Sequence, residues 1–279
     1  MRVNAYVLAA DPSFLAESIR AYYDRVARIV VSFDRDSTSW RGTALPVEEC
    51  LGIIRSLDVD GKCVFSAGHY ARGGEPLVDE TYQRQTALDE AAQDADWVLQ
   101  LDTDEVMLDP GAFFRSLQHG EDAGAAALDY PARWLYARVG PGRYLEASTR
   151  FGRPSATYPG PLAVRSGTTL RFCRQADATL YRVDLRPWNT DPFHPRAAVV
   201  HEVVEPAEAV LHFSWVRPDE TMRRKFAWSG HAEDYTRPVV YRRWVRRARY
   251  PRTTALTSPF RRFDPFRLVT VAEPPGGQP

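Results

Sequence analysis

Asp102, Thr103, Asp104 and Glu105 follow directly on the apolar run Trp97-Val98-Leu99-Gln100-Leu101, so a buried stretch ends in a cluster of three carboxylates. Crowded carboxylates repel one another unless a cation lies between them. A few hard oxygen ligands favour Mg²⁺ or Mn²⁺, shared with the phosphates of a substrate. Asp102 and Asp104 are two positions apart, and a strand continuing through them would place both side chains on one face. The chemistry open to such a pair is holding a cation against a diphosphate. The plainer alternative is a polar strand exit, with acids leading to the helix that Asp109-Pro110 opens.

Other residues gather around the same idea. Apolar runs also end at Asp11 and at Asp34 and Asp36. If these strands are adjacent and parallel, the acids share one rim, where Asp34 or Asp36 would accept from a nucleotide base or ribose. Strand-end loops are polar in most proteins, so this reading competes with a structural one. Arg84, in Tyr82-Gln83-Arg84-Gln85, would reach phosphate or Asp102 from the preceding helix. His201-Glu202 and His212 each follow an apolar run. Glu202 is a candidate general base, and His212 a candidate third metal or phosphate contact. A single histidine after an apolar run is also a common structural residue. His231, in Trp228-Ser229-Gly230-His231, is of the same kind.

The elements that would position these groups alternate. Val3–Ala10 reads as a first strand, followed by helical spacing of Phe14, Leu15, Ile19, Tyr22 and Tyr23, with Asp11 or Ser13 as N-cap. Arg28–Phe33 is a second strand, Pro46–Leu57 a helix, Lys62–Ser66 a third strand and Glu80–Ala92 a helix leading to Trp97. Strand–helix alternation predicts a mostly parallel sheet flanked by helices, an α/β fold. Farther on, Leu170–Cys173, Ala178–Val183, the run to Glu202 and Val210–Trp215 read as strands, and Pro218–Trp228 as a helix. The stretch from Arg138 to Gly167, rich in glycine, proline and arginine, reads as a long irregular loop able to close over an acceptor. The tail from Ala272 to Pro279 is expected to be disordered.

Bulk properties narrow the function classes. A chain of 279 residues at 44% hydrophobic and 26% charged can build a full core without staples. Cys50, Cys63 and Cys173 fit neither a zinc spacing nor a disulfide framework, which points to a reducing compartment. No run reaches the length of a membrane span, and a cytoplasmic location is expected. No Gly-x-Gly-x-x-Gly follows the first strand and no P-loop occurs, so a cation is the expected partner of a diphosphate. From Arg237 to Phe263 there is no acidic residue but many arginines. This basic helical extension would be solvated, packed through Tyr241, Trp244 and Tyr250, or laid at about 237–262 on anionic membrane. No motif in it supports nucleic-acid binding.

Taken together, the chain resembles GT-A type nucleotide-sugar glycosyltransferases of the broad family 2 group. The resemblance lies in the first strand with the Asp34 loop, in Gln83-Arg84-Gln85-Thr86-Ala87-Leu88-Asp89 followed by Trp97–Glu105, and in Val200-His201-Glu202, Leu211-His212-Phe213-Ser214-Trp215 and Lys225. The last group is similar to segments of bacterial transferases that decorate surface glycans. The resemblance implies a GT-A (Rossmann-like) domain over 1–236, with a nucleotide-binding half to about 109 and an acceptor half to about 236. It implies a nucleotide-diphosphate sugar donor, a glycan or lipid-linked acceptor, and Mn²⁺ or Mg²⁺. It further implies that Asp34 contacts base or ribose, Asp102 lies near ribose and cation, Asp104 ligates the cation, His212 contacts metal or diphosphate, and Glu202 takes the acceptor's proton, giving inversion. The chain lacks the Thr/Ser-Glu-Asp-x-x-Leu segment in which the base is usual, which leaves Asp129 and Asp191 as rivals. Two other readings stand beside this one. A nucleotidyltransferase would normally carry a glycine-rich basic loop where this chain has Ala9-Ala10-Asp11-Pro12-Ser13. A non-catalytic nucleotide- or sugar-binding protein would bind without turnover.

Overall fold

The computed structural model describes residues 1–186, 199–229, 238–261 and 264–271. Asp191, His231 and the 272–279 tail lie outside the described residues. The first half has the expected alternation: β1 (Val3–Leu8), α1 (Leu15–Tyr22), β2 (Ile29–Asp34), α2 (Val47–Leu57), β3 (Cys63–Gly68), α3 (Pro76–Ala91) and β4 (Trp97–Leu99). Successive strand residues point to opposite faces, and here both sets are largely apolar, so these strands need cover on both faces. Val3, Ala5 and Val7 of β1, Ile29 and Val31 of β2, and Trp97 and Leu99 of β4 pack with Leu15 and Ile19 of α1 and Leu51 and Ile54 of α2. The alternate residues Tyr6, Leu8, Val30 and Val98 meet Ala87, Leu88 and Ala91 of α3 on the other face.

The central sheet adds β6 (Ala127–Asp129), β10 (Ala163–Arg165), β13 (Leu180–Leu185) and β14 (Val200–Val204), in the order β14-β13-β6-β10-β4-β1-β2-β3. It is mostly parallel, with β10 running antiparallel to both β4 and β6. The chain thus winds outward from β1 through β2 to β3, then crosses back to place β4 on the other side of β1. The order reverses between β1 and β4, and ligands of open α/β sheets lie outside the carboxyl ends of strands at that point.

Two expectations need correction here. The strand does not continue through the acids. β4 stops at Leu99, the Glu105 amide donates to the Asp102 carbonyl in a turn, and β5 (Glu105–Met107) joins a second sheet. Asp102 and Asp104 therefore sit on a bend, not on one face of a strand. The stretch 138–167 is also not one long irregular loop, since strands take up much of it. β7 (Ala132–Gly140) and β8 (Arg143–Ala147) form a hairpin turning at Pro141-Gly142, where Gly142 takes φ 59°, and short β9 (Ala156–Thr157) pairs with β7. The glycine and proline that look like irregularity make the tight turn.

The second sheet runs β16-β8-β7-β15-β5, with β15 (Val210–His212) and β16 (Phe266–Thr270). α4 (Pro110–Asp122), capped by Asp109 through the Ala112 amide at 2.8 Å, links β5 to β6, and the small ribbon β11 (Leu170–Phe172) and β12 (Gln175–Ala176) lies between β10 and β13 in sequence. α5 (Asp219–Trp228), α6 (Pro238–Arg249) and α7 (Pro251–Thr257) follow, with short 3-10 turns at Tyr23–Arg25 and Ser258–Phe260. Helix α1 begins without a side-chain cap at Phe14, which is left-handed at φ 62°. Asp11 instead accepts the Ser13 amide at 2.9 Å.

Candidate active site

A cleft of about 360 Å³ opens where β1 and β4 end, lined from β1 by Leu8, Ala10 and Asp11 and from the bend after β4 by Asp102, Thr103 and Asp104. That volume falls within the roughly 300–1,000 Å³ of small-molecule sites. Arg84 and Glu80 of α3, Arg174 beside β12, His212 of β15 and Lys225 of α5 complete its charged wall. Trp40, Trp134, Trp215 and Trp228 also line it.

Asp104 and His212 are brought together by backbone pairing. Glu105 and His212 are directly opposed in the β5–β15 ladder, and the Phe213 amide donates to the Asp104 carbonyl at 2.8 Å. Asp104 Oδ1 lies 3.2 Å from His212 Nε2. Asp104 Oδ2 is occupied on its other side, by Lys225 Nζ at 2.7 Å and Arg217 Nη2 at 3.0 Å. Burial alone would raise the Asp104 pKa, but Lys225, His212 and Arg217 outweigh it and hold the carboxyl far below the usual range. Arg217 is fully buried and also binds Asp11 Oδ2 at 3.0 Å, so it ties the end of β1 to the acidic bend.

Asp102 faces a different partner. Arg84 donates to its Oδ1 at 2.8 Å and to Glu80 at 2.9 Å, while Arg174 stands 3.7 Å from its Oδ2. Burial pushes the Asp102 pKa up and the two guanidiniums bring it below the usual value. Arg174 is itself clamped by Glu105, with Nη1 and Nη2 donating at 2.6 and 2.5 Å. Arg84 Nη1 is buried without a hydrogen-bond partner.

The fit of a small divalent cation rests on Asp104 and His212. Their 3.2 Å separation suits neighbouring ligands with bonds of about 2.1 Å. His212 Nδ1, without a hydrogen-bond partner, lies 3.7 Å from Glu105 Oε1, and a carboxylate behind a ligating imidazole is the usual arrangement. Among the described residues no three histidine, cysteine or acidic side chains form a ligand set. A cation at this pair would take its remaining ligands from substrate oxygens, as Mg²⁺ and Mn²⁺ sites beside phosphates do. Asp102, held by Arg84, does not complete the set.

The other sequence candidates lie elsewhere. Glu202 on edge strand β14 does not line the cleft. Its Oε2 meets His119 Nδ1 at 3.2 Å and the Tyr181 hydroxyl at 3.4 Å, which joins β14 to α4 and β13. Asp129 is committed to Arg182 at 2.7 Å. Asp34 accepts the Asp36 and Thr38 amides and the Thr38 hydroxyl on Oδ1 and the Tyr70 amide on Oδ2. Burial raises its pKa, and these hydrogen bonds outweigh burial and lower it. Asp34 thus orders the loop after β2 and lines a small neighbouring pocket with Trp40, Gln83 and Trp228. Asp36 is exposed beside His69 at 3.2 Å. Cys173 lines the cleft, but burial pushes its thiol up to about 12, away from nucleophilic use.

Arg174 and Arg217 carry no local sequence signal. Each sits among unremarkable neighbours, and its part in the site follows from burial against acids distant in sequence.

No family model matches the chain, and no curated protein matches it. Among solved structures it is similar to a mannosyltransferase from Pyrobaculum calidifontis in complex with GDP-mannose and Mn²⁺. Identity is 14%, over 46% of this chain and 35% of that one, with a TM-score of 0.33. The match thus spans about a third of that mannosyltransferase's length. It is also similar to CMP:2-keto-3-deoxy-manno-octonic acid synthetase complexed with CTP, at 14% identity over 60% and 75% of the two chains and a TM-score of 0.33. A third is 4-diphosphocytidyl-2C-methyl-D-erythritol synthase from Anaerococcus prevotii, at 12% identity over 59% and 70% and a TM-score of 0.32. Likeness at this level carries no functional argument.

Proposed function

We propose that the chain is a nucleotide-sugar glycosyltransferase whose donor diphosphate binds in the cleft between the ends of β1 and β4. The observation that carries this reading is the Asp104–His212 pair, 3.2 Å apart and facing a cleft at the point where strand order reverses. In this reading the segment to about 109 carries the nucleotide and the segment from 110 to 236 the acceptor.

The residues divide the work. Lys225 and Arg217 fix Asp104 through Oδ2, which leaves Oδ1 toward His212. A bound divalent cation at this pair would neutralise charge developing on the leaving diphosphate. Arg84, Arg174 and Lys225 add fixed positive charge along the same wall, and Arg84 Nη1 is a donor with no internal partner. The four tryptophans give apolar walls against which a sugar ring or base can pack. Glu202 is not given the proton-accepting role here, because it lies on the outer edge strand.

Calorimetric titration of UDP, GDP, CMP and dTDP with and without Mn²⁺ tests the reading. One nucleotide is expected to bind at least about tenfold more tightly with Mn²⁺, and its sugar conjugate to release the nucleoside diphosphate. No binding of any nucleotide with either Mn²⁺ or Mg²⁺ would overturn it. Release of pyrophosphate from a nucleoside triphosphate and a sugar substrate would assign nucleotidyl transfer instead.

A further inference from the structure

One reading of the basic segment at about 237–262 lays it on anionic membrane, yet most aromatic anchors of that segment are spent. Trp244 of α6 is buried with Met222 and Phe226, and its Nε1 donates to the Trp215 carbonyl at 3.0 Å. The Tyr241 hydroxyl binds Asp219. The unsatisfied apolar surface lies farther on and has a second contributor. Leu256 of α7 is 78% exposed, Phe260 just beyond it 89%, and Phe151 86%.

Phe151 belongs to the turn 149–153 that follows β8, closed by the Gly152 amide on the Thr149 carbonyl and the Thr149 amide on the Arg153 carbonyl. This turn is fastened to the α7 end. Arg150 Nε donates to the Pro259 carbonyl at 3.2 Å, and Arg150, Gly152, Arg252, Leu256 and Pro259 line one shallow depression. The support behind both is rigid: β16 pairs with β8, and Ser258 Oγ accepts the Phe266 amide at 2.7 Å.

The charge of this face has one sign. Arg150, Arg153, Arg249 and Arg252 are exposed. No acidic residue occurs between Ala147 and Ala176, nor between Pro238 and Arg261. Among the described residues, two acids flanking these segments are engaged: Glu146 is buried between Arg133 and Arg267, and Asp264 is paired with Arg247 at 2.9 Å. Bulky apolar side chains standing beside guanidiniums whose charge is not neutralised are complementary to a layer of anionic headgroups over acyl chains.

We propose that the 149–153 turn and the segment 256–260, at and just past the end of α7, form a docking surface for an anionic lipid bilayer, with Phe151, Leu256 and Phe260 entering the interface and the arginines binding headgroups. This assignment is independent of the reaction in the cleft.

Co-sedimentation of the full chain with vesicles of phosphatidylglycerol and phosphatidylcholine, against phosphatidylcholine alone, tests it. Binding is expected to the anionic vesicles at low salt, weakened by at least about tenfold on pure phosphatidylcholine and reduced by added salt. The triple variant Phe151→Ser, Leu256→Ser, Phe260→Ser and the triple variant Arg150→Gln, Arg153→Gln, Arg252→Gln should each lose binding by about tenfold or more, with unchanged thermal unfolding. Failure of the native chain to bind anionic vesicles at low salt would overturn the proposal. So would undiminished binding by the apolar variant, or a native dimer that this variant turns into a monomer. Binding of RNA in preference to anionic vesicles would assign the arginines to nucleic acid instead.

Discussion

Asp104 Oδ1 and His212 Nε2 lie 3.2 Å apart although 108 positions separate them, because the β5–β15 ladder opposes Glu105 to His212. The spacing is set by backbone hydrogen bonds, not by side-chain preference. Asp104→Asn keeps the volume but removes the charge, and His212→Ala removes the imidazole nitrogen. Each should lower Mn²⁺-dependent nucleotide affinity or turnover by about a hundredfold or more, the size of loss seen when one charge-stabilising group is removed. Calorimetry with the nucleotide that binds the native chain, with and without Mn²⁺, provides the measurement. Native-like metal dependence in Asp104→Asn would sink the cation assignment.

Glu202 gives the opposite expectation. Its carboxylate joins β14 to His119 and Tyr181 at the sheet edge. Glu202→Gln retains an acceptor for both and should leave turnover within about threefold of native. A loss of several hundredfold, the scale of a missing general base, would return Glu202 to the catalytic role that the sequence suggests.

Those two residues also show what is legible in a sequence. The runs Val3–Leu8, Ile29–Asp34 and Trp97–Leu99 announce buried parallel strands because both of their faces are apolar, and the helices between them follow. The meeting of Asp104 with His212 depends on a long-range antiparallel register that no local pattern encodes. His201-Glu202 and His212 look alike in sequence, each at the end of an apolar run. The sheet then sends the first to an outer edge and the second to the cleft. The β7–β8 hairpin is hidden for another reason: its strands carry arginines and its turn carries Pro141-Gly142, so the period-2 signal is weak. Arg174 and Arg217 become significant only through what they are buried against.

Glu105 is fully buried and receives both terminal nitrogens of Arg174, itself only 2% exposed, while its Oε2 also accepts the Asp102 amide at 3.0 Å. Glu105→Ala strands a buried guanidinium and should cost about 3–5 kcal/mol. Replacing both partners by methionine should recover part of that loss, since no unpaired charge remains. Urea unfolding of the native chain and the two variants reads this as midpoint shifts at constant slope. Equal losses in single and double variants would show that the pair is not the source.

Asp58 offers a pH test away from the cleft. Burial raises its pKa, but the Tyr23 hydroxyl and the Cys63 and Lys62 amides outweigh burial and hold it below the ordinary value. A folded pKa below the unfolded one means that the carboxylate stabilises the fold fully above about pH 4, near its unfolded pKa. That contribution is lost as pH falls through the folded value. Asp58→Asn should therefore be less stable than native near pH 7, and the difference should shrink as the native chain is acidified below about pH 4. Parallel stability curves across that window would disprove the linkage.

Gly68 ends β3 where the chain turns under Tyr70. A Cβ placed there would stand 2.3 Å from the ring carbon Cζ of Tyr70 and 2.5 Å from its hydroxyl, well inside contact distance. The ring has little freedom to retreat, because Tyr70 is only 3% exposed and its amide is fixed to Asp34 Oδ2 at 2.8 Å. Gly68→Ala must therefore displace the ring or the strand end, at about 1–3 kcal/mol, the usual cost of overpacking. The strain should pass to the Asp34 loop, whose Trp40 lines the cleft, so nucleotide affinity should fall together with stability. The double variant Gly68→Ala, Tyr70→Ala removes the clash and should lose less stability than the two single changes added together. Simple additivity would place the effect of Gly68→Ala in the backbone and not in contact with the ring.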